Sequence, residues 1–406
     1  MKKSTKYTMI GIIIFLAFVL IFETTYLFLV VNSYSLSSSR GKEGAARKAV
    51  ILENIDSLEN MIDQFYLFDY EKEDLETGVY KGLIAGLDDP YSVYYTPEEY
   101  NKLMEMTTGE YSGIGALLSQ DKETGLITVV KPYKGTPSEE AGLLPGDVFT
   151  KVDGQDTAGM DLATFVNFVK GESGTEVVLE VYRTSEKVYK TFRIKRRTIE
   201  TPTVEYEMLE DNIGYIAISE FEDVTYNQFV RAVEQGEKEG MKGLIIDVRN
   251  NPGGVVTAVC KVLDYMVPDG DILMSTKDKE GNGSAVTGED GHFFDQPLVV
   301  LINGESASAS EIFAGGIRDY EMGTLVGEKT YGKGIVQRIF HVGNGAGVKL
   351  TVQEYYLPSG VSIHEKGVEP DVEEIMPEEL KYQLEIKKEE DTQLQKGMEI
   401  LREQIG

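Results

Sequence analysis

Three short segments of this 406-residue chain carry residue types that can cleave an amide bond if folding brings them together. The first runs from the apolar Val299-Val300-Leu301-Ile302 through Asn303-Gly304-Glu305 into Ser306-Ala307-Ser308-Ala309-Ser310-Glu311. An apolar strand ends there in small residues and a helix follows. A serine at such a turn is expected to be exposed, next to unpaired N–H groups of the helix start that can hold an oxyanion. Composition does not separate Ser306, Ser308 and Ser310, and ordinary helix capping by serine accounts for the segment when it is taken alone. The second segment is Gly332-Lys333-Gly334 ahead of Ile335-Val336, with Gln337 four residues after the lysine. A lysine with an ordinary pKa of about 10.4 is protonated at neutral pH and takes no proton. Burial against an apolar strand penalises the ammonium and turns the amine into a base able to activate a serine. Gln337 falls on the same face as Lys333 in a strand or a helix and could orient the amine. Taken alone, the lysine reads as a surface charge.

The third segment, Leu244-Ile245-Ile246-Asp247-Val248-Arg249-Asn250-Asn251-Pro252-Gly253-Gly254, is a buried strand running into a Pro-Gly-Gly turn. Consecutive glycines leave backbone N–H groups uncovered, so the turn could supply a second oxyanion donor; a plain tight turn is the other reading. Of the histidines His292, His341 and His364, His364 lies near strand-like sequence, in what reads as a surface loop. A histidine-based triad is therefore disfavoured. No His-x-x-x-His or Cys-x-x-Cys spacing exists, and the single Cys260 in an apolar run reads as a buried thiol, so neither a structural zinc nor an internal disulfide is expected.

The elements that must position these residues follow from periodicity. After residue 198, strand-like runs at Ile213–Ile218, Gly243–Val248 and Pro297–Ile302 alternate with helical stretches at Gln228–Glu239, Ala258–Met266 and Glu311–Tyr320, the pattern of an α/β domain. Before it, from about Gly109 to Arg196, lies a glycine-rich segment with strands predicted at Leu126–Val130 and Val177–Tyr182 and a helix at Leu162–Lys170. Apolar residues at Leu52, Ile55, Leu58, Ile62 and Phe65 predict a helix, and a second is predicted over Leu75–Leu87, stopped by Asp88-Asp89-Pro90. Pro377–Gln404 reads as a helical tail, either a dimer contact or a solvated surface helix.

Lys2, Lys3 and Lys6 precede an apolar stretch from about Met9 to Val31. About 20 residues cross a hydrocarbon layer of roughly 30 Å, so this stretch is expected to span a membrane, with Glu23 as its one discordant residue. Asn32-Ser33-Tyr34-Ser35 lacks an Ala-x-Ala cleavage site, which favours an uncleaved anchor over a signal peptide. The lysines place the N-terminus in the cytoplasm and the rest of the chain outside it. A net charge of −28 repels phosphate backbones and argues against nucleic-acid binding.

The chain resembles the carboxyl-terminal processing peptidases, serine–lysine endopeptidases with an inserted PDZ domain. The resemblance rests on Ser306-Ala307-Ser308-Ala309-Ser310-Glu311, Gly332-Lys333-Gly334 with Gln337, and Asp247 through Gly254. Leu87-Asp88-Asp89-Pro90-Tyr91-Ser92 and Gly367-Val368-Glu369-Pro370-Asp371-Val372 extend it. It implies Ser308 as nucleophile, Lys333 as base, Gln337 as its orienting partner, and the N–H groups of Ala309 and Gly254, with Gly253 as the alternative, as oxyanion donors. It further implies that Tyr111-Ser112-Gly113-Ile114-Gly115-Ala116 is the carboxylate-binding loop of a PDZ domain, that the substrates are proteins or peptides with accessible C-termini, and that no metal or organic cofactor takes part.

The expected fold is thus an α/β (α+β) peptidase core with an inserted β-rich PDZ domain, an N-terminal transmembrane helix and helical terminal segments. The expected boundaries are 1–34 for the cytoplasmic tip and anchor, 35–48 for a linker and 49–100 for a helical segment. They continue with 101–196 for the PDZ domain, 197–375 for the peptidase core and 376–406 for the tail. The expected function is a membrane-anchored, extracytoplasmic serine endopeptidase, a possible homodimer, in which PDZ binding gates the active site. The rivals are a catalytically silent PDZ scaffold on the membrane and an amidase acting on cell-wall peptides.

Overall fold

A run such as Leu298-Val299-Val300-Leu301-Ile302, buried at every position, requires cover on both faces, which a parallel strand flanked by helices provides. A computed structural model describes residues 44–381, 383 and 386–406, and among them the central sheet has six strands. Their order is Val204–Met208, Ile213–Ile218, Gly243–Asp247, Leu298–Ile302, Thr324–Gly327 and Val372–Glu373. The first pair is antiparallel and every later pair is parallel. Leu244, Ile246, Val300, Ile302 and Leu325 point to one face, where helices Thr225–Glu239, Val256–Met266 and Ala309–Asp319 pack on them. Cys260 is buried in that layer, and burial pushes its thiol up to about 12.

Ile245, Val299, Leu301 and Val326 point to the other face, and there the tail corrects both sequence readings. Helix Thr392–Ile405 lays Leu394, Met398 and Leu401 on them, so its sparse apolar residues cover the chain's own sheet instead of a second copy or solvent. Asp391 caps that helix through the Leu394 N–H, at 3.0 Å.

A second sheet joins Val93–Tyr95, Gly347–Tyr356, Ile272–Asp278 and Gly283–Thr287, with Ile335–His341 paired along Gly347–Tyr356. Val93-Tyr94-Tyr95 is thus a strand inside a segment expected to be helical, as its β-branched and aromatic residues suit. The β-rich domain is entered through Glu110–Gly113 and left through Arg197–Glu200, which pair antiparallel. Its sheet runs Ala116–Gln120, Ile127–Pro132, Asp147–Val152, Glu176–Arg183 and Val188–Lys195, leaving Ala116–Gln120 at an edge. Helix Leu162–Val169, capped by Asp161, seals its core with Phe165 and Val169.

The chain divides into two compact units after Glu76. In the first, a helix occupies residues 44–65, so the end of the expected linker is helical, in keeping with Ala45-Ala46. The apolar stretch from Met9 to Val31 lies outside the described residues; among those described, no helix is long and apolar enough to cross a membrane.

Glu222 sits where the chain passes from the β-rich domain into the central sheet. It is buried beside the left-handed Gly109, whose added Cβ would lie 2.4 Å from its Oε2, and that oxygen has no hydrogen-bond partner among the described residues. Burial first, then the charge of Glu220, raise its carboxyl from 4.5 to about 7. The folded chain therefore keeps this proton where the unfolded chain has lost it. Stability from this group is complete below about pH 4.5 and is lost as pH rises through about 7. Glu222→Gln should unfold about 2 kcal/mol less readily than wild type at pH 8 and nearly equally at pH 5. Urea unfolding at the two pH values checks this; a difference independent of pH would contradict it.

Candidate active site

The three segments read from the sequence meet at the C-terminal ends of adjacent parallel strands. Asp247 ends one strand, Ile302 the next and Gly327 the third, and each continues into its segment. Asn251 ties two of them together. Its fully buried side chain donates to Ile218 O at 2.8 Å and accepts from the Gly253 N–H at 2.8 Å. Its backbone carbonyl accepts from the Ala307 N–H and the Ser310 hydroxyl, both at 3.0 Å. Asn250 and Asn303 bond to each other across the same gap, at 2.8 and 2.9 Å.

The structure separates the three serines, which the sequence did not. Ser306 is fully buried and its hydroxyl donates to Val248 O at 2.7 Å. Ser310 is fully buried and spends its hydroxyl on Asn251. Ser308 keeps 8% of its surface and makes no side-chain cap. It is less exposed than the turn suggested, because Gly253 packs against it and the Tyr355 hydroxyl donates to its carbonyl at 3.0 Å. Its backbone has φ 55° and ψ −112°. Such a conformation costs a non-glycine residue about 1–3 kcal/mol, and serine nucleophiles on a sharp strand-to-helix turn are held in similar strain.

Glu311 holds that turn. Its carboxylate is fully buried and accepts from the Ser308 N–H at 2.8 Å and from the Lys333 N–H at 2.8 Å, both on Oε2. On Oε1 it accepts from the Thr330 hydroxyl at 2.5 Å and the Gly332 N–H at 2.7 Å. Ser308 and Lys333 are thereby fastened through one oxygen atom. The sequence reading passed over Glu311 as a helix residue. Its signal was present in Ser308-Ala309-Ser310-Glu311, serine followed three residues later by glutamate at a helix start.

The two candidate glycines differ. The Gly253 N–H is committed to Asn251, whereas the Gly254 N–H has no bond within the described residues. Gly254 has φ 135°, and an added Cβ would lie 2.1 Å from Phe221 O, so glycine is required there. The Ala309 N–H, first in its helix, is likewise unpaired. The loop is braced from behind by Arg249, which bonds Asp247 at 2.6 Å and Asp391 at 2.8 Å and so couples it to the tail helix. Sequence gave no sign of that link, since 142 residues separate its ends.

Lys333 is partly buried. Burial and then the Lys349 charge lower its pKa, against the opposing charges of Asp89 and Glu311. Its ammonium lies 4.6 Å from the centre of the Tyr91 ring. Gln337 does not bond to it; the amide donates to the Thr351 hydroxyl at 3.4 Å. In the pairing of Ile335–His341 with Gly347–Tyr356, Gln337 stands opposite Thr351. His364 is not on an open loop: its backbone packs on Gly334, and its Nδ1 is buried without a partner among the described residues.

In the β-rich domain the six loop residues do not act as one loop. Tyr111, Ser112 and Gly113 belong to the entry strand paired with Arg197–Ile199, and Ile114 is in the domain core. Gly115, at φ 80°, turns the chain, and its carbonyl accepts from the Thr136 and Ser138 hydroxyls at 2.8 and 2.5 Å. Ala116 then opens the edge strand, which an extended peptide could join. Among the described residues no cluster of ligating side chains could hold a metal ion.

Residues 212–374 match the family model for Peptidase family S41, and residues 128–183 match a PDZ domain. The carboxyl-terminal-processing protease of Synechocystis sp. is 36% identical over 323 residues, which is 79% of this chain and 75% of that protein. The carboxy-terminal processing protease CtpA of Bacillus subtilis is 35% identical over 355 residues, 87% of this chain and 74% of that one. Among solved structures, a photosystem II D1 C-terminal processing protease is 28% identical, with a TM-score of 0.46, covering 79% of this chain and 87% of that one.

The carboxylate of Glu311 is the part of this arrangement most exposed to a conservative change. Glu311→Gln puts an amide N–H₂ among four donors, and it should cost about 2–4 kcal/mol of stability and at least about a hundredfold in peptide cleavage. Urea unfolding and a fluorogenic peptide assay test this, and a variant with wild-type turnover would show that the carboxylate does not fasten the site.

Proposed function

Since the chain belongs to peptidase family S41, among the carboxyl-terminal processing proteases, and is a serine-type peptidase with a PDZ domain, we propose that it cleaves proteins near their C-termini with Ser308 as nucleophile and Lys333 as base. The neutral Lys333 amine takes the proton of Ser308 Oγ as that oxygen attacks the scissile carbonyl. The N–H groups of Ala309 and Gly254 hold the resulting oxyanion. Collapse of the tetrahedral intermediate breaks the C–N bond, and Lys333 returns the proton to the departing amine. The Lys333 amine, neutral again, takes a proton from water as it attacks the acyl carbon, and returns it to Ser308 Oγ as the acyl C–O bond breaks and the carboxylic product leaves. Gln337 orients the lysine once the strand carrying it engages. The observation that carries this reading is the shared Glu311 oxygen, which joins the unpaired serine to the partly buried lysine at the ends of neighbouring strands.

A substrate C-terminus adds to the Ala116–Gln120 edge, with its carboxylate at the turn formed by Gly115 and Ala116, and this docking gates the site. The segment from Met9 to Val31, behind Lys2, Lys3 and Lys6, anchors the chain in the cell membrane with the peptidase outside the cytoplasm. Membrane fractionation with and without residues 1–34 tests the anchor.

Ser308→Ala should lower cleavage by at least about a thousandfold with unchanged folding, while Ser306→Ala and Ser310→Ala should destabilise by about 1–2 kcal/mol and retain the nucleophile. Equal loss in all three variants, or full activity in Ser308→Ala, would overturn the assignment. Lys333→Ala should be inactive. For the wild type, kcat/KM should rise with pH through a limb below the ordinary lysine range, because the base acts only when neutral and its pKa is lowered.

A further inference from the structure

The motif Leu87-Asp88-Asp89-Pro90-Tyr91-Ser92 lies far ahead of the peptidase core in sequence, and the mechanism above gives it no part. In the fold it stands over the base. Tyr91 places its ring 4.6 Å from the Lys333 ammonium, which makes no hydrogen bond or ion pair among the described residues. Asp89 lies close enough for its charge to act on the same lysine. Asp89 itself accepts from the Tyr91 N–H at 3.0 Å and from the Ser92 hydroxyl at 2.6 Å. Burial would raise its carboxyl; these bonds and the Lys333 charge outweigh that and hold it below the usual range, so it is a carboxylate throughout neutral pH. Ser92 Oγ accepts from the Thr351 N–H at 3.1 Å, and Thr351 Oγ1 accepts from Gln337. One turn therefore contacts both the lysine and, through Thr351, the glutamine that would orient it.

We propose that this turn is a parking site for the base: Tyr91, backed by Asp89, holds the Lys333 ammonium over its ring and away from Ser308, making Tyr91 a positioning residue for the peptidase reaction. The inference rests on Lys333 being the base. An aromatic face attracts an ammonium and gives nothing comparable to a neutral amine. Parking thus favours the protonated lysine, which is the form that cannot take the serine proton. The groups facing Lys333 are Asp89 and Glu311, which favour its charge, and Lys349, which opposes it. Tyr91 does not act as a base itself, because the neighbouring Tyr331 hydroxyl, and then burial, push its phenol up to about 12.

The pH dependence of kcat/KM for a peptide substrate tests this in the full-length enzyme. Tyr91→Leu removes the ring, so its acid limb should move down by about half to one pH unit, a three- to tenfold gain in rate on the limb. Tyr91→Phe keeps the ring and should keep the wild-type limb. Asp89→Asn should move the limb in the same direction as Tyr91→Leu. Where Tyr91→Leu fails to fold, Tyr91→Met fills the volume without a ring face and carries the same expectation. Limbs that coincide in wild type, Tyr91→Leu or Tyr91→Met, and Asp89→Asn, with Lys333→Ala inactive, would overturn parking and leave the serine–lysine reading intact. An equal shift in Tyr91→Phe would overturn the role of the ring. Full activity in Lys333→Ala would remove the base and the proposal with it.

Discussion

One buried carboxylate holds the site together. Glu311 is fully enclosed and accepts from the backbone of Ser308, Gly332 and Lys333 and from the Thr330 hydroxyl. A charge so placed is tolerable only because four donors replace its water. In return, it fixes the relative position of two loops that leave different strands. Ser308 can then sit in a strained conformation, since the helix that begins behind it and the carboxylate in front leave it no relaxed alternative. Its hydroxyl is left without a bond among the described residues, while those of Ser306 and Ser310 are spent on backbone carbonyls.

The surrounding fold exists to bring such loops to one place. Five consecutive parallel strands of the central sheet end on the same side, and three of them continue into the segments of the proposed site. Helices cover one face and the tail helix covers the other, so the chain's last residues belong to the core that supports its site. Arg249 makes that dependence specific. It is buried between Asp247, at the end of a strand, and Asp391, which caps the tail helix. Losing either carboxylate would leave a buried guanidinium short of a partner, a costly state in a low-dielectric interior.

The lysine stands apart from this rigidity. Its backbone is fastened by Glu311, but its side chain rests on the ring of Tyr91, and Gln337 is turned toward Thr351. Ser308 and the free N–H groups of Ala309 and Gly254 are built on the central sheet, whereas the lysine, the glutamine and the turn around Tyr91 border the second sheet. Ser308 and those N–H groups are thus held by a covered core, and the Lys333 side chain by a smaller, more exposed layer.

Much of this was legible in the residues. Apolar runs buried at every position, the helical periodicities between them and the Pro-Gly-Gly turn are local signals, and each fixes a local structure that needs no distant partner. The serine-rich helix start and the glycine-flanked lysine are not such signals: each alone reads as a cap or a surface charge, and their chemistry shows only when the segments are taken together. Other facts depended on contacts across long stretches of chain. Position and composition leave Ser306, Ser308 and Ser310 alike and the family resemblance names Ser308; the packed structure adds the physical difference, because burial and the availability of a carbonyl decide which hydroxyl is left free. Only the structure gives the tail a sheet to cover, sets Gln337 against Thr351 and sets Tyr91 over Lys333. Sequence determined which groups this protein brings to a reaction. Tertiary structure decided which of them are free to react, because that depends on what surrounds each group, and its surroundings come from residues remote in the chain.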